Sequence, residues 1–171
     1  MSDSPVSPRL VLDTNIVLDW LVFRDPAIAA LAAAIEGRRV QVVTHPPAVE
    51  ELQRVLAYPQ CRLSPLEQRE VLERYRSAVV MAELPEAFRT DNLMLPAGFP
   101  RCRDRDDEHF LALAYHTHAA GLVTKDKAVL KLRKKARRFG VVVLALRELA
   151  TAERTLRTCD PEMTARILPV P

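Results

Sequence analysis

The sequence predicts a single α/β domain with a central, mainly parallel sheet between two layers of helices. Two observations lead there. Short apolar strands alternate with helical patterns along the chain, and parallel strands need crossover connections, which cover both faces of the sheet with helices. The 171 residues are 49% hydrophobic, enough for one core and too few for two.

The elements follow in order. Residues 1–8 are polar and punctuated by proline; they read as a flexible terminus without the basic and apolar regions of a secretory signal. Arg9 to Leu12 form a strand that runs into Asp13, and Asn15 begins a helix with Ile16, Trp20 and Phe23 on one stripe. Trp20 is expected in the core, and Asp19 at a polar position. A second helix starts near Pro26 and stops at Gly37, Val40 to Val43 form a buried strand, and Thr44 and Pro46 open a third helix to about Ala57. Ser64-Pro65-Leu66-Glu67 supplies an N-cap, a first-turn proline and a capping-box glutamate, so a further helix runs to about Ala78.

Ala78 to Leu84 reads as an edge strand. Pro85 to Arg103, broken by Pro96, Gly98 and Pro100, is a loop expected to lie over one edge of the site. Then come a helix from Asp106 to His118, a strand from Gly121 to Thr124, a basic helix from Lys127 to Phe139 and a last strand from Val141 to Leu146. The domain is expected to span 9–150, leaving 151–171 as a tail.

Several function classes drop out. Apolar runs such as Val141 to Leu146 are far below the ~20 residues of a membrane-spanning helix, so a soluble protein with no membrane role is expected. Cys61, Cys102 and Cys159 are widely spaced and odd in number, which fits reduced thiols in a cytoplasm. His45, His109, His116 and His118 show no metal-ligand spacing and read as ordinary histidines. With four glycines there is no phosphate-cradling loop, and no local Ser-His-Asp or Cys-His signature is present.

The acids carry the chemistry. Asp13 follows the first strand and Asp126 follows the strand ending at Thr124; both lie at carboxyl ends, where open parallel sheets bind ligands. Glu51 falls near the apolar stripe of its helix with Val55 at i+4, whereas Glu50 has Arg54 at i+4 and reads as a solvent-side ion pair. Asp104, Asp106 and Asp107 precede the apolar pattern Phe110, Leu111, Ala114. One acid there suffices as a helix cap, and Asp107 heads the inward stripe. Carboxylates gathered in one pocket repel, and a bound cation resolves the repulsion. Oxygen ligands without Cys or His suit Mg2+ or Mn2+, and the chemistry that follows is phosphodiester hydrolysis. Lys125, Lys127, Lys131, Lys134 and Arg138 crowd beside Asp126 and read as a phosphate-holding rim.

The runs Leu10-Val11-Leu12-Asp13-Thr14-Asn15, Glu51-Leu52-Gln53-Arg54-Val55-Leu56, Asp104-Arg105-Asp106-Asp107-Glu108-His109-Phe110-Leu111 and Leu122-Val123-Thr124-Lys125-Asp126 together resemble the PIN-domain family, in order and spacing, over residues 9 to about 146. The resemblance is greatest to the branch of toxin components of toxin–antitoxin pairs. It implies a three-layer α/β/α fold and Mg2+- or Mn2+-dependent ribonuclease activity. It also implies metal-site acids at Asp13, Glu51, Asp107 and Asp126, support from Asn15 and Thr124, and a further contribution from Asp104 or Asp106. A neutralising antitoxin and a homodimer are further implications. Two positions depart from the family pattern: Arg105 stands where proline is common, and Ala128 where an acid is often found.

Two other functions compete. A haloacid dehalogenase-type phosphatase also places an aspartate after the first strand, but needs a second acid two residues on, where this chain has Asn15. A non-catalytic RNA-binding protein of the same fold has no use for acids at all four positions.

Overall fold

A computed structural model of the protein describes residues 7–149; Cys159 and the expected tail at 151–171 lie outside the described residues. Five strands form one sheet, β1 (Arg9–Leu12), β2 (Gln41–Thr44), β3 (Val79–Met81), β4 (Gly121–Thr124) and β5 (Val143–Ala145). Their order is β3-β2-β1-β4-β5, and every neighbouring pair is parallel. The mainly parallel sheet expected from the sequence is therefore parallel throughout.

The chain builds outward from β1 to β2 and β3, then crosses over to add β4 and β5 on the other side. Such a reversal splays the connections leaving the two central strands and opens a crevice at their carboxyl ends. Leu12 lies opposite Val123 in the β1–β4 register, and the Asp13 N–H donates to the Val123 carbonyl at 3.0 Å. The ladder thus extends one residue past β1. Gly121 permits the close packing of β4: a Cβ there would lie 2.7 Å from Leu144 Cδ1 and 3.5 Å from Leu10 Cδ2.

Strand alternation assigns the two faces. Leu10 and Leu12 join a core with Ile16, Leu31, Leu52, Leu56 and Tyr75, drawn from α1 (Thr14–Leu18), α2 (Ala29–Glu36), α3 (Pro46–Leu56) and α4 (Pro65–Ala78). Val11 faces the opposite core with Phe110, Leu111, Val129 and Ala136. These come from α5 (Glu108–His116), α6 (Lys127–Lys131) and α7 (Arg133–Ala136). Helices cover both faces, as a parallel sheet requires.

Local chemistry explains the boundaries. The Ser64–Glu67 capping box forms with both reciprocal bonds, Ser64 N–H to Glu67 Oε2 at 2.7 Å and Glu67 N–H to Ser64 Oγ at 3.3 Å. Gly37 ends α2. Cys61 and Cys102 are free and buried. No helix among the described residues is long and apolar enough to cross a membrane.

Three expectations are corrected. The first helix changes to a π-helical turn at Asp19–Phe23, and the wider turn carries Phe23 off the Ile16–Trp20 stripe. Phe23 is 53% exposed while Trp20 is buried. Asp19 is buried rather than at an open polar position. The single basic helix is broken at Leu132 into α6 and α7, followed by a 3-10 turn at Arg137–Phe139.

Candidate active site

Asp13 sits at the N-cap of α1 and is 4% exposed. The adjacent strand supplies its partner: Thr124 Oγ1 donates to Asp13 Oδ2 at 2.5 Å, and the Asn15 N–H donates to Oδ1 at 3.2 Å. Asn15 therefore supports Asp13 through its backbone, and its own side chain is exposed. Thr124 Oγ1 also accepts the Asp126 N–H at 2.9 Å. One hydroxyl thus couples the two strand-end aspartates. Asp126 Oδ1 accepts from the Ala128 and Val129 N–H groups at 2.5 and 3.0 Å, capping α6. Its orientation is set by backbone, so Ala128 alters no contact of that side chain beyond a peptide N–H any residue would supply.

Glu51 comes from α3 and is half-buried, whereas Glu50 is exposed. The difference in burial follows the helix periodicity. The expected Glu50–Arg54 pair does not form; both line an open cleft of about 930 Å3 together with Glu51, Tyr58, Arg101 and His109, and the Arg54 charge acts on Glu51 instead. Thr14 Oγ1 donates to Glu51 Oε1 at 2.7 Å, and His109 Nε2 lies 2.9 Å from Oε2. His109 in turn meets His45, with 2.8 Å between Nδ1 and Nε2. Both rings are buried.

The acids before α5 separate into distinct roles. Asp104 Oδ1 accepts the Asp106 N–H at 3.1 Å, and both side chains are exposed, so these two shape the turn. Asp107 occupies the N-cap position of α5 but makes no capping hydrogen bond with its side chain. It is half-buried and faces the other acids. Glu108, which the sequence did not single out, is 3% exposed. It accepts from the Cys102 N–H and from Arg101, both at 3.0 Å, and so anchors the loop that leads into α5.

The electrostatics join these groups into one cluster. Burial, then the charges of Asp13, Asp126, Asp104 and Glu51, push the Asp107 carboxyl up to about 7. Burial raises Asp13 as well, with Glu51 and Asp126 adding to it, against the bonds from Thr124 and Asn15. For Glu51 burial also raises the pKa, but the His109 and Thr14 hydrogen bonds and the Arg54 charge outweigh it, leaving the carboxyl below its ordinary range. Buried carboxyls raised further by neighbouring acids form an environment a cation would relieve.

The donor set fits a hard divalent cation. Its atoms are carboxylate oxygens, and Mg2+ binds through one or two carboxylates with water and phosphate completing the shell. Among the described residues no three His, Cys, Asp or Glu side chains enclose an ion by themselves, and such binding does not require them to.

The basic rim divides. Lys127, Lys131, Lys134 and Arg138 are exposed. Lys125 is not a free phosphate contact as expected: its ammonium is ion-paired with Asp19 and lies 3.6 Å from Asp25. Those carboxylates hold its pKa above the usual lysine value, the Asp19 hydrogen bond contributing most. Buried Asp19 and half-buried Asp25, at the π-helical turn and just after it, have captured it.

Sequence reasoning brought Asp13, Thr124, Asp126, Glu51 and Asp107 to one end of the sheet, and it missed Thr14, His45, His109 and Glu108. Thr14 and His109 stand next to or two residues from recognised acids; His45 carries no local signal at all.

A family model described as PIN domain matches residues 9–128, well over half of the chain. No curated protein matches it.

Proposed function

We propose a reaction for this chain, which belongs to the PIN-domain family: hydrolysis of RNA phosphodiester bonds by a divalent-cation-dependent endoribonuclease. PIN domains are generally nucleases, so membership supports a nuclease. The observation that carries the finer reading is the raised pair Asp13 and Asp107, each pushed up by burial and then by the charges of Glu51 and Asp126, with Asp13 and Asp104 adding to Asp107, at the sheet end where the fold needs no charge.

Asp13, Glu51, Asp107 and Asp126 would hold Mg2+ or Mn2+. When bound, the cation supplies Lewis acidity that activates water and neutralises charge building on the phosphate. The chain's own residues do the rest. Thr124 fixes Asp13 and the Asp126 backbone in one arrangement. Asp107, its carboxyl pushed up to about 7, is partly protonated near neutral pH, and a bound cation would favour its ionised form. Lys127, Lys131, Lys134 and Arg138 hold backbone phosphates by charge at the rim.

Labelled RNAs incubated with the purified protein and Mn2+, Mg2+ or EDTA test the reading. Cleavage that EDTA and Asp13→Asn both abolish supports it. Equal cleavage by the Asp13→Asn variant would sink it, and metal-independent RNA binding without cleavage would favour the non-catalytic alternative. The resemblance further supports a cytoplasmic, homodimeric toxin neutralised by a cognate antitoxin. Growth arrest on expression, reversed by a protein partner, tests that role.

A further inference from the structure

Glu51 ends a chain of hydrogen bonds that runs from the interior. A carboxylate only accepts, so the His109 Nε2 that faces Glu51 Oε2 at 2.9 Å carries a proton. His109 Nδ1 is then a bare lone pair and accepts from His45 Nε2 at 2.8 Å, which makes His45 an Nε2–H tautomer too. The far end agrees with this polarity. His45 Nδ1 is buried without a hydrogen-bond partner, so a proton placed there would be an orphaned donor. His45 is 0% exposed and packs edge-on against Phe88, so water does not offer an alternative acceptor. Thr14 completes the set by donating to the other Glu51 oxygen at 2.7 Å.

We propose that His109 and His45 are positioning residues for cation binding: His109 locks the Glu51 carboxylate in one orientation, and His45 acts only by anchoring the His109 ring through Nδ1. Each Glu51 oxygen has one acceptor site committed, to Thr14 or to His109, and one left for a cation. Ligating carboxylates are oriented by such outer partners, whose loss typically costs about 10- to 100-fold in metal affinity. Removing His45 would leave His109 Nδ1 without its donor and free the ring to turn away from Glu51, although the carboxylate still favours the Nε2 proton. The inference rests on Glu51 being a cation ligand.

Two measurements test it on the full chain. Histidine 15N NMR of the metal-free protein should show both His45 and His109 protonated at Nε2. Mn2+ binding, followed by the free-ion EPR signal, is then compared across Glu51→Gln, His109→Leu, His109→Gln and His45→Phe, with thermal unfolding as the check of fold. His109→Leu and His45→Phe should each weaken Mn2+ by about 10- to 100-fold. His109→Gln, which retains an N–H donor, should recover part of the loss, and His109 should keep its Nε2 proton in His45→Phe. If Glu51→Gln binds Mn2+ like the wild type, the reading of Glu51 as a ligand falls and this inference with it. If Glu51→Gln weakens binding while both histidine variants bind normally, the positioning role alone falls. A wild-type His109 protonated at Nδ1 overturns it even where a variant fails to fold.

Discussion

The two halves of the site are held in opposite ways. Asp13 and Asp107 are carboxyls whose surroundings oppose their charge, through burial and the neighbouring acids. Glu51 is a carboxyl whose surroundings favour its charge, through Thr14, His109 and Arg54. One half stores repulsion that a cation releases, and the other is already satisfied and supplies a fixed edge. Substitutions should therefore separate activity from stability in one half and couple them in the other.

The largest effect is expected at Asp13. Asp13→Asn should reduce cleavage by on the order of 100- to 1,000-fold, in the range found when a preorganised electrostatic group is removed. Metal-free thermal stability should be unchanged or higher, because a buried charge and its repulsion are gone. A variant with lower stability and intact cleavage would reverse the assignment of that half.

Glu51→Gln should lose cleavage and stability together. It removes a charged acceptor from hydrogen bonds with Thr14 and His109, a loss of about 1–3 kcal/mol in denaturant unfolding. Unchanged stability would mean the Glu51 half is no better satisfied than the Asp13 half.

The pH dependence follows from Asp107. Its carboxyl is pushed up to about 7 in the fold, well above the ordinary aspartate value of about 3.9, so the folded state binds the proton more tightly. The contribution is fully present below about pH 4 and is lost as pH rises toward 7. Metal-free stability from this group should fall across that window, and Asp107→Asn should flatten the profile. Saturating Mn2+ should stabilise the protein most at the upper end.

The smallest effects distinguish rim from centre. Lys134→Ala should weaken RNA binding several-fold and lower the salt slope by about one phosphate's worth. Lys125→Ala should leave that slope nearly unchanged and reduce stability, because Lys125 serves Asp19 and Asp25. Equal slopes for the two variants would erase the distinction.

Legibility in the sequence followed the range of each interaction. The strands, the Ser64 capping box and the strand-end aspartates are local patterns, and they were readable because strand period and cap chemistry act over a few residues. Glu51 could be told from Glu50 because helix periodicity gives them different faces. Phe23 and Asp19 misled because a π-helical turn leaves no reliable mark in the pattern. Lys125 misled because its acidic partners, Asp19 and Asp25, stand about a hundred residues before it in the sequence. His45 and His109 were read as ordinary histidines, since their link spans 64 residues and exists only once α3 and α5 pack together.

The most direct measurement is anomalous X-ray diffraction from crystals of the protein saturated with Mn2+. A manganese peak within coordination distance of Asp13 and of at least one of Glu51, Asp107 and Asp126 is the expected result. Protein that cleaves RNA under the same conditions, with no manganese at that end of the sheet, would contradict the carboxylate-held cation at the centre of the site.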